Sequence, residues 1–103
     1  MDPNDSVAYN NIGVLLSELK RDEEAIQSYD KAIKINPNYY RSYLNRGISL
    51  KAIKRNNESI ESFDKSIEIK PNVDAYFYKA NLFYEVDLLY LKLIFFFKLT
   101  NKL

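Results

Sequence analysis

Two basic pairs, Lys20-Arg21 and Lys54-Arg55, stand thirty-four residues apart, and cations recurring along one edge of a protein are a means of tracking a phosphate backbone. Acidic residues follow both pairs closely, Asp22, Glu23 and Glu24 after the first and Glu58 after the second. They cancel the local field, so two solvated turns account for the pairs better than a nucleic-acid stripe. The whole chain agrees: 15 basic against 14 acidic side chains leave a net charge of +1, which recruits neither nucleic acid nor an anionic membrane. The 103 residues contain no Cys and no His. That excludes a disulfide framework, a Cys/His zinc site, a thiol nucleophile and a histidine base, and with them most hydrolytic and redox chemistry. Catalysis, a metal and a cofactor are therefore not expected. Asn4-Asp5-Ser6 and Asn57-Glu58-Ser59 fit the glycan acceptor pattern, but no charged and apolar signal segment precedes them, so a chance match is the expectation.

The elements that would position any site are marked by the scarcest residues. Pro3, Pro37 and Pro71 are spaced by thirty-four, and so are the only two glycines, Gly13 and Gly47. Laid without a gap over 40–73, residues 6–39 give fifteen identities, among them Tyr9/Tyr43, Asn11/Asn45, Leu16/Leu50, Asp30/Asp64 and Ile33/Ile67. A period of this size signals an array whose units bury their apolar faces on one another. Within a unit, Tyr9, Ile12, Leu16 and Leu19 step by three or four, as do Ala25, Tyr29, Ala32 and Ile33, so each unit reads as two helices. Polar turns at 20–22 and 54–57 divide the helices, Pro37 and Pro71 close the second of each pair, and Asn38 and Asn72 follow as expected N-caps. The reading predicts helices near 5–18, 22–35, 39–52, 56–69, 73–86 and 88–100. A mid-helix Gly costs about 1 kcal/mol relative to Ala. The recurrence of Gly13 and Gly47 therefore predicts that the partner helix approaches closely there, an explanation that also suits the small Ala25, Ala32, Ser59 and Ser66.

These residues resemble the tetratricopeptide repeat family, whose 34-residue unit runs aromatic-x2-Leu-Gly-x2-Tyr, then Ala-x3-aromatic, then Pro. The first unit supplies Tyr9-x2-Ile12-Gly13-x2-Leu16, Ala25-x3-Tyr29-x2-Ala32 and Pro37; the second supplies Tyr43-x2-Arg46-Gly47-x2-Leu50, Ser59-x3-Phe63-x2-Ser66 and Pro71. Arg46 departs from the usual Leu, either lying along its helix with its charge in water or pairing with a neighbouring acid. The resemblance implies an all-α fold, a right-handed superhelical array of antiparallel helix pairs, in a single domain 1–103. Repeat 1 would cover about 6–39, repeat 2 about 40–73, and a divergent or truncated third repeat with an apolar terminal helix 74–103. In that third unit Ala80 takes the Gly place if one residue is deleted.

The resemblance further implies a protein-interaction scaffold whose first helices line a concave groove for a peptide or helix of a partner. Carried over residue by residue, the groove would show Asn10, Asn11 and Val14, then Arg41, Asn45 and Ile48, then Tyr78 and Asn81. Asn11 and Asn45 stand out because an amide offers a donor and an acceptor to the backbone of an extended peptide. The competing reading is that they bond only locally or to water. The members of the family that grip the C-terminal carboxylate of chaperones use cationic residues where this chain has Asn10, Asp74 and Tyr78. The two asparagines of that clamp fall at Val14 and Asn45, so of its five places only Asn45 agrees, and chaperone-tail binding is not expected.

Residues 88–99, Leu-Leu-Tyr-Leu-Lys-Leu-Ile-Phe-Phe-Phe-Lys-Leu, abandon the repeat. Asp87, Lys92 and Lys98 leave apolar runs far short of the ~20 residues a bilayer-crossing helix needs, and the lysines define no polar face. The expectation is a final helix that packs imperfectly on the second unit in place of a polar cap. Its greasy outer surface predicts self-association through Leu88–Leu99 or docking to a further partner. Two alternatives stand beside the interaction module: a fragment of a larger protein whose array recruits substrates to an absent catalytic domain, and a module tethered to membrane by residues 88–99. The missing Cys favours the cytoplasm.

Overall fold

The computed structural model describes residues 2–101, and every regular element in that span is an α-helix. The helices are α1 (Ser6–Glu18), α2 (Asp22–Ile35), α3 (Tyr40–Ala52), α4 (Asn56–Ile69) and α5 (Val73–Thr100). The first four lie within a residue of the predicted spans. Asp5 caps α1 by accepting from the backbone N of Ala8 at 3.0 Å, and Asn72 caps α5 by accepting from that of Ala75 at 2.8 Å. Asn38 does not cap α3: the capping position falls to Tyr39, which makes no side-chain cap bond, while the Asn38 backbone N–H donates to Asn36 Oδ1 at 3.1 Å. Three acids, Asp22, Glu23 and Glu24, fill the first turn of α2, where they complement the positive end of the helix dipole.

Lys20 and Lys54 turn the chain between the members of each pair, with φ of 63° and 65°. Each follows a helix whose end is closed by a six-residue bond, Arg21 N to Leu16 O and Arg55 N to Leu50 O, both 2.9 Å. A side chain in this left-handed region is strained. The strain is offset because the turn lets the second helix fold back onto the first. The missing glycine side chains do what their spacing predicts: a Cβ on Gly13 would sit 2.3 Å from the Tyr29 ring, and one on Gly47 would sit 2.6 Å from the Phe63 ring. Ala25, Ala32, Ser59 and Ser66 are fully buried beside these rings' helices. The buried hydroxyls are satisfied: Ser59 Oγ donates to Gly47 O at 2.7 Å and Ser66 Oγ to Tyr40 O at 3.1 Å.

The two hairpins stack mainly through α2 against α3, with α1 also touching α3. Arg46 resolves in favour of an acid partner, its Nε donating to Asp30 Oδ1 on α2 at 2.7 Å and a terminal nitrogen to Ser62 Oγ on α4 at 2.8 Å. Lys79 of α5 reaches back to Asp64 of α4 at 2.6 Å in the same manner. The acids are thirty-four apart and the bases thirty-three, which is the one-residue deletion that puts Ala80 in the Gly place. Leu44, Phe63 and Ala75 form a core cluster bordered by Ile48, Ile67 and Tyr78, and Tyr78 stacks on Phe63 with centroids 6.0 Å apart.

The C-terminal expectation needs correction. Residues 73–86 and 88–100 are not two helices but one, the 28-residue α5, and its second half does not pack on the second unit. Leu89, Leu91, Leu93, Phe95, Phe96 and Phe97 are each more than half exposed, and the molecule is 65 Å long for a thickness of 17 Å. The physical reason lies in the residues beyond α5's inner half. No Ala/Ser-x3-aromatic pattern is present to pack back and offset a left-handed turn, and a run of leucines with no Gly or Pro propagates the helix instead. Among the described residues no helix is long and apolar enough to cross a membrane.

Candidate functional site

The inner faces of α1, α3 and α5 run side by side, and two adjoining depressions lie along them. The first, of about 380 Å³, is lined by Val14, Ser17 and Glu18 of α1, Asn45 and Ile48 of α3, Tyr78 of α5 and, beneath them, Tyr29. The second, of about 350 Å³, shares Ile48 and Tyr78 and continues past Lys51, Ala52, Lys54, Asn56 and Glu85. The spacing of these residues explains their convergence: 14, 17 and 18 on α1, and 45, 48, 51 and 52 on α3, step by one helical turn and so share one face. A furrow beside Leu91, Phe95 and Leu99 is the flank of the lone end of α5 and has no second wall.

Of the residues expected to form a binding face, Asn45, Ile48 and Tyr78 line the groove together with Val14. Asn10 is buried, its Oδ1 accepting from Ser42 Oγ at 3.3 Å and from Asn45 Nδ2 at 3.1 Å, so it ties α1 to α3 beneath the groove. Asn11 and Arg41 are exposed and line neither depression; the Arg41 guanidinium lies 5.3 Å from the centroid of the Tyr40 ring. Asn81 is half-buried on α5 and lines neither. Asn11 and Asn45 hold the same place in the repeat but different surroundings, because Asn45 has α1 packed alongside and Asn11 has no helix on that side among the described residues. Sequence reasoning passed over Ser17, Glu18, Lys51 and Glu85. Their signal was the continuation, by one or two more turns, of the stripes through Val14 on α1, Asn45 and Ile48 on α3, and Tyr78 on α5.

The groove is electrostatically mixed. Glu18 stands at one end, and at the other Lys51 Nζ approaches Glu85 Oε1 at 3.5 Å, a pair too exposed to hold either group rigidly. Burial pushes the Tyr29 phenol up to about 12, an effect that its hydrogen bond with Ser49 partly reverses. Hydrogen bonds from Arg21 and Arg55 hold the carboxyls of Glu24 and Glu58 below their usual range, outside the groove. No group of three or more Asp or Glu side chains gathers to hold a metal ion among the described residues. The arrangement offers an apolar floor, an amide and a polar rim, which is equipment for holding a chain in place.

Stacked helical hairpins with a shared inner groove define an α-solenoid of short repeats. Tetratricopeptide repeat models match residues 6–39 and 28–61, together more than half of the chain, and the protein belongs to the tetratricopeptide repeat family. Curated relatives include the peroxisomal targeting signal receptors of Kluyveromyces lactis, 42% identical over 41 residues, and of Saccharomyces cerevisiae, 39% identical over 41 residues. Each of these matches takes in 40% of this chain but only 7% of the receptor. Among solved structures the fold is similar to the first TPR of Spaghetti (RPAP3) bound to the HSP90 peptide SRMEEVD, with a TM-score of 0.80, 22% identity and coverage of 84% of this chain and 69% of that one. MamA gives a TM-score of 0.80 at 25% identity, covering 84% of this chain and 52% of that chain.

Proposed function

We propose that the chain is a non-catalytic protein-interaction module that holds a peptide or helix of a partner protein along the inner face of α1, α3 and α5. The observation that carries this reading is the pair of adjoining depressions, which share Ile48 and Tyr78 and so make one continuous groove. Val14, Ile48 and Tyr78 supply apolar contact area, and the exposed part of the Asn45 amide supplies a hydrogen-bonding group that ignores ligand sequence. The division into units at about 6–39, 40–73 and a divergent 74–103 belongs to the same reading, as does a cytoplasmic setting. The Spaghetti domain, similar in fold, is solved with a peptide, which suits this use of the groove. The match to targeting signal receptors favours a second form of the same reading, in which the module recruits cargo as one segment of a longer protein.

Selection of peptides from a displayed library against the full chain, followed by calorimetric titration of a recovered peptide, tests the proposal. Val14→Glu should weaken binding at least tenfold and Asn45→Ala about fivefold, with thermal melting showing that each variant is folded. Asn11→Ala and Arg41→Ala, outside the groove, should bind as the parent does. Unchanged affinity in the groove variants, or losses confined to the outer pair, would reject the groove as the site.

A further inference from the structure

In the first two hairpins the small residue at the centre of the first helix is covered by an aromatic ring of the second, Gly13 by Tyr29 and Gly47 by Phe63. Ala80 occupies that place in α5 and is exposed, because among the described residues no second helix returns over it. The bare face does not end there. Tyr76, Ala80, Phe83, Asp87, Tyr90, Ile94 and Phe97 are spaced alternately by four and three residues over three heptads, the seam of a two-helix coiled coil. We propose that this seam is covered by the α5 helix of a second copy of the chain, lying antiparallel.

Three features select that occupant. The seam is complementary to itself only in the antiparallel sense: one register sets Ala80 against Phe97 of the second copy, Phe83 against Ile94, and Asp87 against Tyr90, with each layer repeated by the two-fold axis. The small residue then meets a ring, as Gly13 and Gly47 do within the chain. Asp87, the single charge on the seam, meets a phenol that can donate a hydrogen bond to it. A parallel pair would instead oppose Asp87 to Asp87 and leave Ala80 facing Ala80, and an antiparallel slip of one heptad would set the carboxylate against Phe97 or Phe83 without a partner. Area is sufficient as well. Tyr76, Phe83, Tyr84, Tyr90 and Phe97 are 47–66% exposed. At ~200 Å² for a free aromatic side chain they present about 600 Å² per copy. The neighbouring Phe77 and Leu91 bring the total toward the ~800 Å² per partner of a stable pair. Lys92 falls on the opposite face of the helix and stays in water.

Sedimentation of the full chain at micromolar concentrations should give twice the mass of a single chain. Ala80→Arg, a change at an exposed position, should return it to the mass of one chain while leaving the circular dichroism spectrum that of a folded helical protein. Because the parent has no Cys, register can be read directly. Ala80→Cys mixed with Phe97→Cys should cross-link on mild oxidation into a mixed pair, and neither variant should cross-link with itself. A chain that stays monomeric, an Ala80→Arg variant that still pairs, or self-linking of Ala80→Cys would overturn the proposal. So would a monomer that pellets with phosphatidylcholine–phosphatidylserine vesicles, which would make a lipid surface the occupant.

Discussion

Replacing Gly13 or Gly47 by Ala should destabilise the fold, against the ordinary rule for helices. At an exposed mid-helix position the change gains about 1 kcal/mol from helix propensity. Here the added methyl would stand 2.3 Å from Tyr29 Cε1 in one case and 2.6 Å from Phe63 Cε1 in the other, about 1 Å or more inside ordinary carbon–carbon contact at ~3.5–4.0 Å. Neither ring has room to withdraw, since Tyr29 is 1% exposed and Phe63 is fully buried. Overpacking of this kind costs roughly 1–3 kcal/mol, and more where helices must separate. The net loss should therefore be up to about 2 kcal/mol for each variant, with Gly13→Ala the larger because its clash is closer. Urea denaturation followed at 222 nm measures it. The double variant Gly13→Ala, Tyr29→Leu should recover part of the loss, because the smaller side chain leaves space for the methyl. Ala80 supplies the opposite control: it takes the same place with no ring of the described residues over it, so Ala80→Gly in the monomeric protein should cost about 1 kcal/mol of helix stability. A Gly13→Ala variant more stable than the parent would refute the close-approach argument.

Four further outcomes are expected. The Tyr29 phenol is neutral in the folded protein up to about 12, so its contribution to stability should be full below pH 10 and lost as pH rises toward 12. Tyrosine absorbance at 295 nm should show that late titration, and Tyr29→Phe should remove it. Arg46→Ala should destabilise by about 1–2 kcal/mol because it strands the buried Ser62 hydroxyl as well as freeing Asp30, and a double-mutant cycle with Asp30→Ala should give a coupling of only about 0.5–1 kcal/mol. Lys20→Gly and Lys54→Gly should each raise stability by about 0.5–1 kcal/mol, since Gly adopts the left-handed turn without strain; lowered melting temperatures would contradict this. Titration of the peptide SRMEEVD should show no micromolar binding, because Asp74 and Tyr78 replace the cations a carboxylate needs.

Most of the fold was legible because its determinants are local. The periods of Pro, Gly and the apolar residues mark four helices and their turns to within a residue, and the two glycines disclose the closest helix contacts. What escaped is set by competition between segments. Residue 87 lies where an array would turn, but nothing in its neighbourhood is itself a strong turn former, and neither is Lys20 or Lys54. Whether such a residue turns depends on whether the next segment can pack back. Asn38 and Asn72 are alike in sequence, yet only Asn72 caps, because α5 begins directly after Asn72 whereas α3 begins one residue later, at Tyr40, and leaves the cap position to Tyr39. Of the site, the α3 members Asn45 and Ile48 were readable from the repeat. Asn10 was not, because its burial depends on where Ser42 and Asn45 point on a neighbouring helix.

The serines at the helix contacts bear on how the fold responds to temperature. Ser42, Ser49, Ser59 and Ser66 are fully buried in places where many helical proteins carry methyl groups. On unfolding they hydrate as hydroxyls, and polar hydration lowers the heat capacity that apolar hydration raises. Relative to methyl groups in the same places, four hydroxyls lower the heat-capacity increment by less than ~1 cal/mol/K per residue, a small correction to the ~12–15 cal/mol/K of ordinary globular domains. The stability curve should therefore be only slightly flatter than that of the same fold with alanines at these four places, a difference that calorimetry of the Ser→Ala variants would read.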